Sequence, residues 1–171
     1  MQDGGDRQVQ LLGCLSHGWT MASKSDTGLT ALRDPWSGPV PPTIAAQVVA
    51  AGVSEAGFVD WVEKMIVSTK AELGVCETMG EVSHEREVWS MIVQIGPDAN
   101  AVWLHRYRHL GAAGTALFAF GFALERDWPS VSAEIGATIG TFVVDGGDID
   151  HNGKQHPNAR SCRDIGEAPC L

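Results

Sequence analysis

The chain has 171 residues, long enough to bury a hydrophobic core without disulfide support. Its 44% hydrophobic and 19% charged residues exclude wholesale disorder. A balance of 12 Lys+Arg against 21 Asp+Glu, formal net charge -9, argues against nucleic-acid binding, because phosphate affinity comes from clustered cations.

Residues 1–42 read as an irregular arm rich in Pro and Gly. Gly4, Gly5, Gly13, Gly18 and Gly28 are scattered through it. It closes on RDPWSGPVPP, Arg33 to Pro42, where proline removes backbone donors and fixes φ. Trp19 and Trp36 favour an arm that wraps on something. The short apolar run VQLLGCL, Val9 to Leu15, follows Asp3 and Asp6 and lacks the form of a secretory signal peptide.

Residues 43–144 read as a helical domain. Thr43 can cap a helix over IAAQVVAAG that stops at Gly52. Ser54 can cap a second, on which Phe58, Trp61, Val62, Met65, Ile66, Thr69 and Leu73 share a face; Gly74 would end it. Thr78 and Glu81 make a capping box for a third, carrying Val82, Val88, Trp89, Ile92 and Val93 as far as Gly96-Pro97. Asp98 caps a fourth through Val102, Trp103, Arg106 and Leu110. After Pro129, Val131, Ile135, Thr138, Ile139 and Phe142 fit a last helix ending at Gly146-Gly147. The expected fold class is therefore all-α: a compact domain of about five helices, an irregular N-terminal arm, and a polar C-terminal tail over residues 145–171.

Leu110 to Leu124, LGAAGTALFAFGFAL, is the most apolar stretch. As a helix it spans ~22 Å, short of a ~30 Å bilayer core. Three readings compete: a buried helix, a helix in a membrane or membrane complex, and a strand. The strand reading rests on Phe118, Phe120, Phe122 and Leu124 alternating with Ala119, Gly121 and Ala123. The buried helix is preferred, with membrane contact through Leu110 to Leu124 left open. On that helix Phe118 and Phe122 share a face and Phe120 points elsewhere. Gly111, Gly114 and Gly121 would allow close packing.

Two constellations suggest ions. His105 and His109 at i, i+4, with Glu81 and His84 at i, i+3 on the preceding helix, would converge as metal ligands if those helices packed antiparallel. Asp148, Asp150, Asn152 and Gly153 spell D-x-D-x-N-G, the first half of a calcium loop. Gln155 and Ala159 depart from its second half. Glu81, His84 and Arg86, followed by SMIVQIG, resemble the E-x-x-H-x-R stretch of chlorophyll-binding light-harvesting helices. The likeness covers a turn and a half and has no second copy, so it carries no function here.

Cys14, Cys76, Cys162 and Cys170 contain no CxxC, against a structural zinc site. Cys162 and Cys170 closing a small loop in an oxidising compartment, and four reduced thiols, both fit the spacing. Cys76 reads as a small buried hydrophobe. No G-x-S-x-G, P-loop or G-x-G-x-x-G occurs, and the sequence identifies no cofactor.

The function expected from these features is a non-enzymatic accessory or scaffolding subunit of a larger assembly. Its partners would be other protein subunits, and Trp19, Trp36, Phe118, Phe122 and Trp128 are the candidate anchors. The compartment is open between a membrane-associated complex, the cytoplasm and a particle. The alternatives are a small metal-binding helical enzyme or carrier using Glu81, His84, His105 and His109, and a calcium-responsive module using Asp148, Asp150 and Asn152.

Overall fold

The computed structural model describes residues 10–73, 76–84, 87–94, 101–110 and 114–145. Strands β1 (Gln10–Leu12), β2 (Trp19–Lys24), β3 (Gly28–Arg33) and β4 (Thr43–Ala50) come first. A 3-10 turn (Glu55–Gly57) enters helix α1 (Phe58–Leu73). Four more strands follow: β5 (Cys76–His84), β6 (Glu87–Gln94), β7 (Ala101–His109) and β8 (Thr115–Leu124). Helix α2 (Trp128–Gly140) and β9 (Val143–Asp145) complete the described chain.

Seven strands form one sheet in the order β2-β3-β4-β8-β7-β6-β5, and β1 pairs with β9 as a separate ribbon. Every pairing is antiparallel. The sheet is thus two meanders joined where β4 meets β8. Helix α1 carries the chain from the sheet's centre to its far edge.

The all-α expectation is overturned. The segments read as helices from Thr43, Thr78 and Asp98 are β4, β5–β6 and β7. The physical reason lies in burial. Helices cover parts of both faces, so inner strands carry apolar residues on both sides and mimic helical spacing. Val88 and Ile92 are buried on one side of β6, while Trp89 packs on the other. The resemblance of Glu81–Arg86 to a light-harvesting helix falls with the helix, since Glu81 and His84 lie on β5. The expected N-terminal arm is also corrected: residues 10–42 include β1, β2 and β3, and Trp19 is core. The polar tail lies outside the described residues beyond Asp145.

Two of the expected helices are present. The face of Phe58, Trp61, Val62 and Ile66 belongs to α1, and Val131, Ile135, Thr138 and Ile139 are the buried residues of α2.

Leu110 to Leu124 runs from the end of β7 into β8, where strand periodicity prevails. Leu117, Ala119, Gly121 and Ala123 face α2, with Leu29, Ala31, Ile44 and Ala46 from neighbouring strands. Among the described residues no helix is long and apolar enough to cross a membrane. Gly114, at φ 71°, turns the chain into β8. Its carbonyl accepts from the Ala51 and Gly52 amides at 2.7 and 2.8 Å, tying this turn to the end of β4.

The close approach of α2 depends on Gly121. A Cβ there would overlap Ile135 Cγ2, and a β-branched side chain on a helix has little χ1 freedom to retreat. Gly121→Ala should cost about 1–3 kcal/mol of stability, the usual range for overpacking. Urea unfolding of the variant checks this; an unchanged midpoint would mean α2 rides loosely on β8.

Candidate functional site

The opposite face of the sheet carries an aromatic row. Phe118, Phe120 and Phe122 point there from β8, paired across to Tyr107, His105 and Trp103 on β7. Tyr107 stacks on Phe118 at 4.9 Å between centroids, and Trp103 meets Phe122 at 5.3 Å. The His105 ring packs edge-on to Phe118 at 5.2 Å and lies 6.2 Å from Phe120. Helix α1 covers one end of the row, where Phe58 and Val62 pack with Val88, Tyr107 and Ala116.

Beyond α1 no further cover comes from the described residues. On β4, Gln47 and Ala45 stand opposite Phe118 and Phe120, and β3 continues the same rows with Gly28 and Thr30. Ala45, Gly28 and Thr30 are too small to fill the space beside two phenylalanines. The result is an open groove of about 420 Å³ with Phe118 and Phe120 among its walls and Ser23, Lys24, Thr30 and Gln47 supplying polar groups. An apolar wall with a few polar groups at its edge is the general form of a recognition groove.

Polar groups lie beneath this face. Ser90 stands beside His105 on β6, 2% exposed, and among the described residues its hydroxyl has no hydrogen-bond partner. His105 Nδ1 lies 3.0 Å from Tyr107 Oη. Burial pushes the His105 pKa down to about 4 and raises that of the Tyr107 phenol. The imidazole is therefore neutral at pH 7.

The expected site residues are dispersed. His105 and His109 share a strand face, not a helix face, and four residues of strand separate them by ~13 Å. Each ring has a local partner: Tyr107 for His105, and the Val53 carbonyl, 3.1 Å from His109 Nε2. Glu81 and His84 lie on β5, the sheet's edge. Among the described residues no group of three or more His, Cys, Asp and Glu is placed to hold a metal ion. Asp148, Asp150 and Asn152 lie outside the described residues.

Of the candidate anchors, Trp19 is buried in its own chain and donates Nε1–H to Glu134 Oε2 at 3.2 Å. Trp36 and Trp128 pack against the same core. Phe118 and Phe122 are half-buried on the aromatic face, and Phe120 is with them. Phe120 was misplaced on helical geometry; a period of two puts all three phenylalanines together. Thr30, Ala45 and Gln47 gave no sequence signal, because only the pairing of β3, β4 and β8 assembles them.

The fold, a seven-stranded antiparallel sheet with one helix on each face, has counterparts among solved structures. The Saccharomyces cerevisiae Ran-binding protein Mog1p matches with TM-score 0.55 at 9% identity, covering 78% of this chain and 89% of that one. LpqN, involved in cell envelope biogenesis of Mycobacterium tuberculosis, matches with TM-score 0.60 at 11% identity, covering 82% and 87%. A Pseudomonas aeruginosa protein of unknown function, PA94, matches with TM-score 0.50 at 13% identity, covering 73% and 96%. No protein-family profile matches the chain, and no curated protein matches it in sequence. These likenesses define the fold and leave function to the site.

Proposed function

We propose that the chain is a non-enzymatic protein-binding subunit that holds a partner in the groove beside Phe118 and Phe120. The observation that carries this reading is the aromatic row that the described residues leave half-covered where α1 ends, next to a groove of about 420 Å³. Half-buried phenylalanines with a polar edge suit a protein segment that inserts apolar side chains and satisfies its backbone on Ser23, Thr30 and Gln47. A shared fold with a Ran-binding protein supports a protein partner as the first class to test.

A photo-crosslinking residue at Gln47, in the groove, should capture one defined protein in the native cell. The same residue at Val67, 66% exposed on α1, should not. Phe120→Ser should reduce capture from Gln47 at least tenfold with the fold intact by circular dichroism. Equal capture from both positions, or capture untouched by Phe120→Ser, would refute the assignment.

A further inference from the structure

We infer, resting on the groove assignment above, that the partner is an extended, acid-bearing segment of another protein that leaves the groove over Ser23 and Lys24 and pairs with the outer edge of β2 as an eighth strand.

Strand β2 is the last on its side of the sheet, and among the described residues it pairs only with β3. Two backbone bonds fix which of its groups point outward. The Asp34 amide donates to the Gly18 carbonyl at 2.9 Å, and the Ser25 amide to the Gly28 carbonyl at 2.7 Å. Successive residues of an antiparallel strand turn their amide and carbonyl to opposite sides. Counting forward from Gly18, Thr20 faces β3 and Met21 faces away. Counting back from Ser25, Ser23 faces β3 and Lys24 faces away. The β3 side agrees, since the Arg33 amide donates away from β2, to the Pro42 carbonyl at 2.9 Å. Met21 and Lys24 are three residues apart and would face opposite ways in a regular strand. The register shift between Met21 and Ser23 brings both onto the outer edge. Ala22, Ser23 and Lys24 are exposed.

An edge of outward amides and carbonyls is complementary to extended polypeptide. The groove leads to it. Phe120, Ala45, Thr30 and Ser23 form one row across the sheet, and Ser23 and Lys24 are among the groove walls. From Phe120 to a strand laid outside β2 is four inter-strand steps, ~19 Å, which about six extended residues span.

Charge narrows the occupant. The chain carries 21 Asp+Glu against 12 Lys+Arg, yet the described groove walls include Lys24 and no acid. A residue opposite Lys24 in an added strand stands ~5 Å from it, where an acid is favourable. A bulge and a lysine are also common guards against indiscriminate edge pairing, so the added strand must answer that charge. A net charge of -9 on each molecule opposes a second copy of this chain in the role.

Random dodecapeptides displayed on phage, selected on the full chain, provide the probe. Acid-bearing peptides are expected, and their affinity is read by titration calorimetry. Lys24→Pro removes the outward amide and no β2–β3 bond. It should weaken binding by roughly tenfold or more, the scale of an unmade backbone hydrogen bond. Lys24→Gln keeps the amide and loses the charge, and should weaken binding by no more than about fivefold. In the unsubstituted chain, bound peptide should slow hydrogen exchange at the Met21 and Lys24 amides, a readout that stands even if Lys24→Pro fails to fold. Binding that survives Lys24→Pro, or exchange unchanged at both amides, would overturn the added strand; if Phe120→Ser still abolished that binding, the groove assignment would stand without it. Binding indifferent to Phe120→Ser would refute the groove assignment and the inference together, and a library that yields no acid-bearing binder would overturn the inference.

Discussion

Arg106→Met should cost about 3–5 kcal/mol, the range for breaking a buried ion pair from one side. Arg106 is 5% exposed and crosses from β7 to the end of α2. Its Nε donates to Glu87 Oε1 at 2.8 Å and its Nη2 to Glu87 Oε2 at 3.4 Å. Its Nη1 serves the two carbonyls at the α2 terminus, where a cation also complements the negative end of the helix dipole. The guanidinium lies 5.5 Å from the Trp89 ring centroid. Methionine keeps the apolar stem and removes every donor. Glu87 and two carbonyls would then be left with poor access to water, which is the expensive side of a lost hydrogen bond. Arg106→Lys should fall between, because an ammonium cannot make the forked contact. Chemical denaturation checks the series. A loss below about 1 kcal/mol for Arg106→Met would mean water reaches the site and replaces the guanidinium.

The same pair sets an acid limit. Burial raises the Glu87 pKa, but the hydrogen bond and charge of Arg106, with the charge of Arg108, outweigh it and leave the carboxyl below its ordinary value. A carboxylate with a lowered folded pKa adds stability above its unfolded pKa and loses it as pH falls through the folded one. Glu87→Gln should therefore flatten the stability profile below about pH 4.5.

What the sequence disclosed divides along the kind of burial. Helices α1 and α2 were legible because each has a single buried stripe, Phe58, Trp61, Val62 and Ile66 on one, Val131, Ile135 and Ile139 on the other. The strands were not, because the inner ones are covered on both sides and a short apolar run does not reveal its own period. Strand β8 is the instructive case. Its large-small alternation was visible, and it records two different neighbours: α2 demands Ala119, Gly121 and Ala123, while the open face accepts Phe118, Phe120 and Phe122. Helical geometry keeps Phe118 and Phe122 and sets aside Phe120, which lines the groove together with Phe118. The groove itself was illegible, since Thr30, Ala45 and Phe120 meet only through long-range pairing.

His105 should make the protein lose about 3 kcal/mol of stability between pH 6.5 and pH 4, from about 1.4 kcal/mol per unit. Its pKa falls from 6.5 to about 4, and the cause is burial, at 5% exposure among Tyr107, Phe118 and Phe120. Below pH 6.5 the unfolded chain takes up a proton that the folded chain refuses. The unfolded state binds more protons throughout that window, so stability declines as pH falls and levels off near pH 4. Most of this window, from pH 6.5 to about 4.5, lies above the one set by Glu87, so the two limbs can be separated there. His105→Gln keeps a polar partner within reach of the Tyr107 hydroxyl and cannot titrate. It should erase the slope between pH 6.5 and 4 while leaving the limb below pH 4.5 in place. Urea denaturation at half-unit pH steps reads both limbs. A slope that survives in His105→Gln would assign the loss to another histidine and would mean that His105 charges without disturbing the aromatic face. If the slope does vanish in His105→Gln, a partner seated in the groove of the unsubstituted protein should extend the decline below pH 4, because covering Phe118 and Phe120 further from water makes the charged imidazole harder still to accommodate.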